Sequence, residues 1–283
     1  MKLVRHGPRG QERPGIVDAG GNIRDLSGTC EDFGPAFFAR DGIARLRDVD
    51  VQSLPRVPAG TRLGPCVAQP GNFIAIGLNY VQHARETNAP IPTDPILFNK
   101  APSCICGPDD DVLLPRGSTK TDWEVELAFV MGREAHYVGE TEALTCVAGY
   151  FICNDVSERE FQLERSGQWV KGKMFPTFGP IGPWLVTPDE IADVQNLRLW
   201  LELNGKRIQD SSTSDMIFPV SRLISDTSQY VLLQPGDIIT TGTPPGVGLG
   251  MKPPQYLKPG DVMRLGIEGL GVQQQRVARF GER

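Results

Sequence analysis

One pattern occurs twice in the chain and narrows its architecture: Gln234-Pro235-Gly236-Asp237-Ile238-Ile239 and, again, Lys258-Pro259-Gly260-Asp261-Val262-Met263. Proline presets φ at the first central position of a type II turn, and glycine accepts the positive φ of the second. Each Pro-Gly pair therefore reverses the chain and launches an apolar strand. From Asn72 onward the same texture continues as short apolar runs bounded by Pro, Gly and Asp. Helical patterns are fewer: Tyr80 to Thr87, the stretch from Val156 to Arg165, and Val220 to Leu233 between Pro219 and Pro235. The expected class is α+β, predominantly β.

The leading stretch is different. Gly15 to Asp18 and Asn22 to Asp25 are strand-like pieces separated by Gly20-Gly21, and Pro55, Pro58, Pro65 and Pro70 follow in a proline-rich run. The expected division is a small N-terminal β domain with its linker over residues 1–70 and a catalytic domain over 71–283. No solenoid-length repeat or low-complexity tract interrupts either part.

With 283 residues and 40% apolar content, the chain can bury a substantial core. The formal charge is -5, and the Lys and Arg residues are scattered, so the footprint of a nucleic-acid partner is missing. Apolar runs such as Phe73 to Leu78 fall far short of the roughly 20 residues of a membrane-spanning helix. Met1 to Gln11 is polar and basic, with no apolar stretch of a secretory signal behind it. No membrane partner and a cytoplasmic location are expected. The six cysteines (Cys30, Cys66, Cys104, Cys106, Cys146 and Cys153) show no Cys-x-x-Cys spacing. That argues against a zinc knuckle and a disulfide framework and fits a reducing compartment, with Cys104 and Cys106 as small buried side chains. No Gly-x-Ser-x-Gly elbow occurs, which disfavours a serine hydrolase. Gly246, Gly248 and Gly250 are followed by Met251-Lys252-Pro253-Pro254, which cannot open the helix of a dinucleotide loop.

Five segments carry candidate chemistry. In Asp122-Trp123-Glu124-Val125-Glu126-Leu127, strand alternation puts Glu124 and Glu126 on one face beside apolar neighbours. The pair either needs a cation or proton to neutralise it, or decorates a solvated sheet face. Asp155 leaves the apolar strand Val147 to Ile152, and a helical turn after it would align Asp155, Arg159 and Gln162 at i, i+4 and i+7; the alternative is an N-cap aspartate with an exposed helix. Three hard oxygen ligands without His or Cys suit Mg²⁺, or Mn²⁺, rather than zinc. His83 stands three residues before Glu86 on a predicted helix, as a water-activating dyad or an exposed ion pair. His6 and His136 lack partner residues. Lys173, in Lys171-Gly172-Lys173-Met174-Phe175, could polarise a carbonyl, and the Gly-rich turn Thr240-Thr241-Gly242-Thr243-Pro244 could receive a carboxylate.

Together these segments resemble the fumarylacetoacetate hydrolase family. Its pattern includes Gly-x-Asn-Tyr-x-x-His-x-x-Glu, Asp-x-Glu-x-Glu, Asn-Asp-x-Ser-x-Arg-x-x-Gln, Lys-x-Phe-Asp-Thr-Phe and Thr-Gly-Thr-Pro, here in the same order from Asn72 to the C-terminus. The resemblance implies a mixed β-roll catalytic fold in a homodimer or dimer of dimers, and hydrolysis of a carbon–carbon bond in a small 2,4-dioxo acid. It further implies Glu124, Glu126 and Asp155 as metal ligands, and His83, Glu86 and Lys173 as catalytic residues. Arg159, Gln162, Thr243, Lys100 and Tyr80 become substrate contacts. The N-terminal run from Lys2 to Ser27 looks like that of bacterial members acting on 2,4-didehydro-3-deoxy sugar acids, the L-rhamnonate first and the L-fuconate as rival. Pro176 stands where the family has Asp, which casts doubt on a hydrogen bond near Lys173.

Overall fold

The computed structural model describes residues 1–281. Both Pro-Gly pairs make the expected turns. Gly236 and Gly260 have φ of 91° and 93°, and the Asp237 and Asp261 amides close the turns onto the Gln234 and Lys258 carbonyls at 3.0 and 3.1 Å. Strands Ile238–Thr240 and Val262–Ile267 follow at once.

Two mixed sheets form the body. The larger has ten strands, nine of them in the order Ile23–Asp25, Arg13–Val17, Lys2–His6, Gly179–Val186, Val147–Asn154, Val125–Met131, Ile238–Thr240, Phe73–Gly77, Ile96–Lys100. Ile105–Cys106 pairs in parallel with Gly179–Val186 as the tenth. The leading strands thus continue the sheet of the body, through Leu3 opposite Leu185. The second sheet runs Lys206–Ser212, Arg198–Leu203, Val262–Ile267, Gly271–Arg279, Val112–Leu114. Val125–Met131 is buried along its whole length, as a strand covered on both faces must be.

Glutamines join the sheets. Gln273 Nε2 donates to the carbonyls of Ile152 and Gly182, both at 2.8 Å. Asn154 Nδ2 donates to Gln275 Oε1 at 3.0 Å, while Asn154 Oδ1 accepts the Glu124 amide at 3.1 Å. All are buried, so each bond satisfies a polar group that would otherwise be costly.

Two predicted helices are shorter than their patterns. Val220–Thr227 stops well before Leu233, because Leu233 exchanges backbone bonds with Ala135 and is drawn away from the helix axis. The stretch from Val156 to Arg165 is not one helix: Ser157–Glu158 pairs as a strand with Thr121–Asp122, and only Glu160–Glu164 winds, as one π-helical turn. The Val81–Glu86 helix forms where expected. The cysteines are free thiols, all buried except the half-buried Cys30. Among the described residues no helix is long and apolar enough to cross a membrane.

Candidate metal centre and active site

Strand register builds the acidic centre. Cys153 lies opposite Glu126 and Asn154 opposite Val125, so the end of one strand meets the start of its neighbour. The Asp155 amide then bonds the Glu124 carbonyl at 2.9 Å. Glu124, Glu126 and Asp155 each offer a carboxylate oxygen, all within 4.8 Å of one another and all buried. The alternation of Glu124 and Glu126 holds, although the regular strand begins only at Val125.

The electrostatics show what this cluster lacks. Burial pushes Glu124 up, but Lys173 and Arg159 outweigh it and hold the carboxyl below its ordinary range. Glu126 goes the other way: burial raises it well above 4.5, and the Asp155 and Glu124 charges add to the rise. Among the described residues its Oε2 accepts from neutral donors, the Thr240 hydroxyl at 2.5 Å and the Gly242 amide at 2.8 Å. Hard oxygen donors in a buried, under-neutralised cluster fit a divalent cation of the Mg²⁺ or Mn²⁺ kind.

Lys173 and Arg159 surround the centre. Lys173 Nζ lies 2.8 Å from Glu124 Oε2 and 2.7 Å from Asp155 Oδ2. Arg159 reaches Asp122 Oδ2 at 2.8 Å, Glu124 Oε1 at 2.7 Å and Gln162 Oε1 at 3.0 Å. Asp155, Arg159 and Gln162 do come together, but not on a helical face. The strand at Ser157–Glu158 carries the chain from the first to the second, and the π turn brings in Gln162.

The helix Val81–Glu86 brings His83 Nδ1 to 3.3 Å from Glu86 Oε2. Glu86 is fixed in turn by the Gly246 amide, at 3.0 and 3.2 Å to its two oxygens. Thr243 donates to the Val125 carbonyl at 3.1 Å and accepts from Gln209 Nε2 at 3.0 Å. His83, Glu124, Glu126, Arg159, Lys173 and Thr243 all line one cavity of about 270 Å³, as does Gln162.

Two expected substrate contacts lie elsewhere. Lys100 and Tyr80 are fully buried and do not line the cavity. Lys100 Nζ sits 2.5 Å from Asp155 Oδ1 and donates to the Lys173 carbonyl at 2.7 Å, backing the centre from the sheet side. The Tyr80 hydroxyl has no hydrogen-bond partner among the described residues, and burial, then the Glu126 charge, pushes it well above its ordinary value. Pro176 is exposed in a turn whose Thr177 hydroxyl accepts the Leu113 amide at 2.8 Å. Lys173 keeps its partners despite that departure.

Asp122 is the residue that sequence reasoning passed over. Fully buried, it accepts the Gly248 and Leu249 amides at 2.7 and 2.9 Å as well as Arg159 Nε. It thereby links the Gly-rich loop to the acidic centre. Its signal was present in the strand pattern, since it alternates in phase with Glu124 and Glu126.

A buried carboxylate triad on a mixed β-roll, with an imidazole–carboxylate pair on the same cavity, defines the class. The Fumarylacetoacetate (FAA) hydrolase C-terminal family model matches residues 72–278, and the chain belongs to this family. A protein of Burkholderia multivorans, provisionally named a hydrolase, is 57% identical over 282 residues, covering 99% of this chain and 100% of the relative. Among solved structures, the fumarylacetoacetate hydrolase of psychrophilic Exiguobacterium antarcticum superposes with a TM-score of 0.88 at 35% identity over 99% of both chains. The 2-hydroxyhepta-2,4-diene-1,7-dioate isomerase of Mycobacterium marinum gives 0.78 at 30% over 100% of both. Maleylpyruvate hydrolase from Sphingobium sp. SYK-6, solved with manganese(II) and pyruvate, gives 0.82 at 27% over 99% of both.

Proposed function

We propose that this protein is a metal-dependent hydrolase that cleaves the C3–C4 bond of a 2,4-dioxo acid. The substrate is 2,4-didehydro-3-deoxy-L-rhamnonate, which gives pyruvate and L-lactate. The observation that carries this reading is the buried triad of Glu124, Glu126 and Asp155 beside the cavity that also holds His83. The pyruvate bound in the manganese-containing maleylpyruvate hydrolase supports the product class.

Glu124, Glu126 and Asp155 would hold the cation, which when bound supplies Lewis-acid polarisation at the substrate's 2-oxo and carboxylate oxygens. Arg159 orients the acid end, and Gln162 meets an oxygen further along the substrate. His83, held by Glu86, takes a proton from water as its oxygen adds to the C4 carbonyl. Lys173 stabilises the oxyanion that forms there. As the C–O double bond re-forms, the C3–C4 bond breaks, its electron pair leaves with the pyruvate fragment, and C3 takes up a proton. One water is consumed, and one carboxylic acid and one pyruvate leave.

The test couples pyruvate release to NADH oxidation by lactate dehydrogenase, with Mg²⁺ and with chelator. The expected result is Mg²⁺-dependent pyruvate from the rhamnonate and none after chelation. Absence of pyruvate with metal present would sink the reading. Isomerisation, decarboxylation or hydration of a 2-oxo dioic acid would use the same triad, and the same assay separates these reactions, since none of them releases pyruvate.

A further inference from the structure

Beside its polar groups the cavity is lined by hydrocarbon side chains. Trp169 presses onto the end of the strand Phe73–Gly77, where a Cβ on Gly77 would lie 2.4 Å from the Trp169 ring. Phe98 meets the indole edge to face, with ring centroids 5.6 Å apart. Leu78 holds a left-handed conformation at φ 51°, unusual for a branched side chain and sustained only where the surroundings over-determine it. Here the neighbour Asn79 does so, donating to the Thr241 and Phe218 carbonyls at 2.8 and 3.1 Å and accepting the Phe218 amide at 2.9 Å. Leu249, tethered through its amide to Asp122, completes this side.

Charge on this wall is as informative as shape. Among the described residues lining the cavity, the basic side chains are His83, Arg159 and Lys173. Each already faces a carboxylate: Glu86, Asp122 with Glu124, and Glu124 with Asp155 respectively. Lys173 Nζ comes within 5.2 Å of the Phe98 ring centre, yet it and Arg159 are held by these carboxylates and, in catalysis, serve the oxyanion and the acid end. A second carboxylate pushed against Trp169 and Phe98 would lose its hydration without a free cation, which is strongly unfavourable. The volume of about 270 Å³ falls just short of the usual range of ligand cavities, which begins near roughly 300 Å³.

We propose that the enzyme is selective for monocarboxylic 2,4-dioxo acids whose acyl end is short and uncharged, with Trp169, Phe98, Leu78 and Leu249 forming the wall that receives that end. This rests on the reading above in one respect, that the dioxo acid end of the substrate faces the triad. Gln162 uses its carbonyl oxygen to accept from Arg159, leaving its amide hydrogens for a hydroxyl on the substrate chain. A single hydroxyl is therefore compatible with this cavity, and a terminal carboxylate is not.

The test compares two acids of equal length, 2,4-dioxoheptanoate and 2,4-dioxoheptanedioate, on the Mg²⁺-loaded enzyme. The expected kcat/KM is lower for the diacid by at least about tenfold, and Leu249→Arg narrows the gap by improving the diacid. Equal or better turnover of the diacid overturns the selectivity while leaving the hydrolase reading intact. If neither acid releases pyruvate, the hydrolase reading falls. Calorimetric binding of both acids to Mg²⁺-loaded His83→Ala then decides the selectivity alone. Tighter binding of the monoacid upholds it, and equal binding or no binding of either overturns it.

Discussion

Lys100 and Glu126 carry opposite burdens in the same few ångströms. The Lys100 ammonium is fully buried against Asp155; burial lowers its pKa, but the Asp155 charge, neighbouring Cys104 and Cys153 and a hydrogen bond to Asp155 together outweigh it and hold it above its ordinary value. Lys100→Met should leave Asp155 without that partner and cost about 3–5 kcal/mol, the usual penalty for breaking a buried pair, measured as a shift in urea midpoint at unchanged slope. Glu126 makes no ion pair among the described residues, so Glu126→Ala should abolish Mg²⁺ binding by titration calorimetry. His83→Ala should keep that binding and lose activity by about 10²–10⁴-fold. Normal Mg²⁺ affinity in the Glu126 variant would remove it from the ligand set. The pairing of Lys100 with Asp155 was not legible in the sequence, because motif order gives neither the direction of a side chain nor the layer in which it ends.

At the scale of elements, what could be read was what is decided locally. The turns at Pro235-Gly236 and Pro259-Gly260 follow from two residues each, and the Val81–Glu86 helix from its own pattern. The alternation of Glu124 and Glu126 likewise survives any partner. The stretch after Asp155 was misjudged because Thr121–Asp122 recruits Ser157–Glu158 into a ladder, a tertiary event that overrides local helical pattern. The Gly-rich loop is decided by space. Gly246 has φ 99°, and a Cβ there would lie 2.0 Å from the Ile208 carbonyl oxygen. Gly246→Ala must therefore displace the loop whose amide holds Glu86. Stability should fall by more than about 1 kcal/mol, and kcat should fall about tenfold or more once the His83–Glu86 pair loses its anchor. An unchanged kcat in a folded Gly246→Ala protein would show that Glu86 needs no such support.

Over the whole molecule, the acidic centre sets how stability answers to pH. The folded chain raises Glu126 above its ordinary 4.5, so its contribution is fully present below 4.5 and is lost as pH rises through the folded value. Glu124 is lowered, so its contribution is present above its ordinary value and is lost only in acid. Chelated protein should accordingly melt at a lower temperature at about pH 8 than at about pH 5. Mg²⁺, which needs the ionised carboxylates, should raise the melting temperature most at the alkaline end. A gain from Mg²⁺ that is equal at both ends would contradict this assignment. Thermal denaturation with and without chelator reads both effects.

The strand Val125–Met131 is hydrogen-bonded on both edges, to Val147–Asn154 and to Ile238–Thr240. One of the three acidic side chains, Glu126, is thus built into the part of the fold that opens last, and Glu124 immediately precedes it. Amides in this strand should exchange with deuterium only as fast as the entire molecule opens. Activity lost on warming should then track loss of the fold itself, with no earlier phase in which an intact protein stands idle.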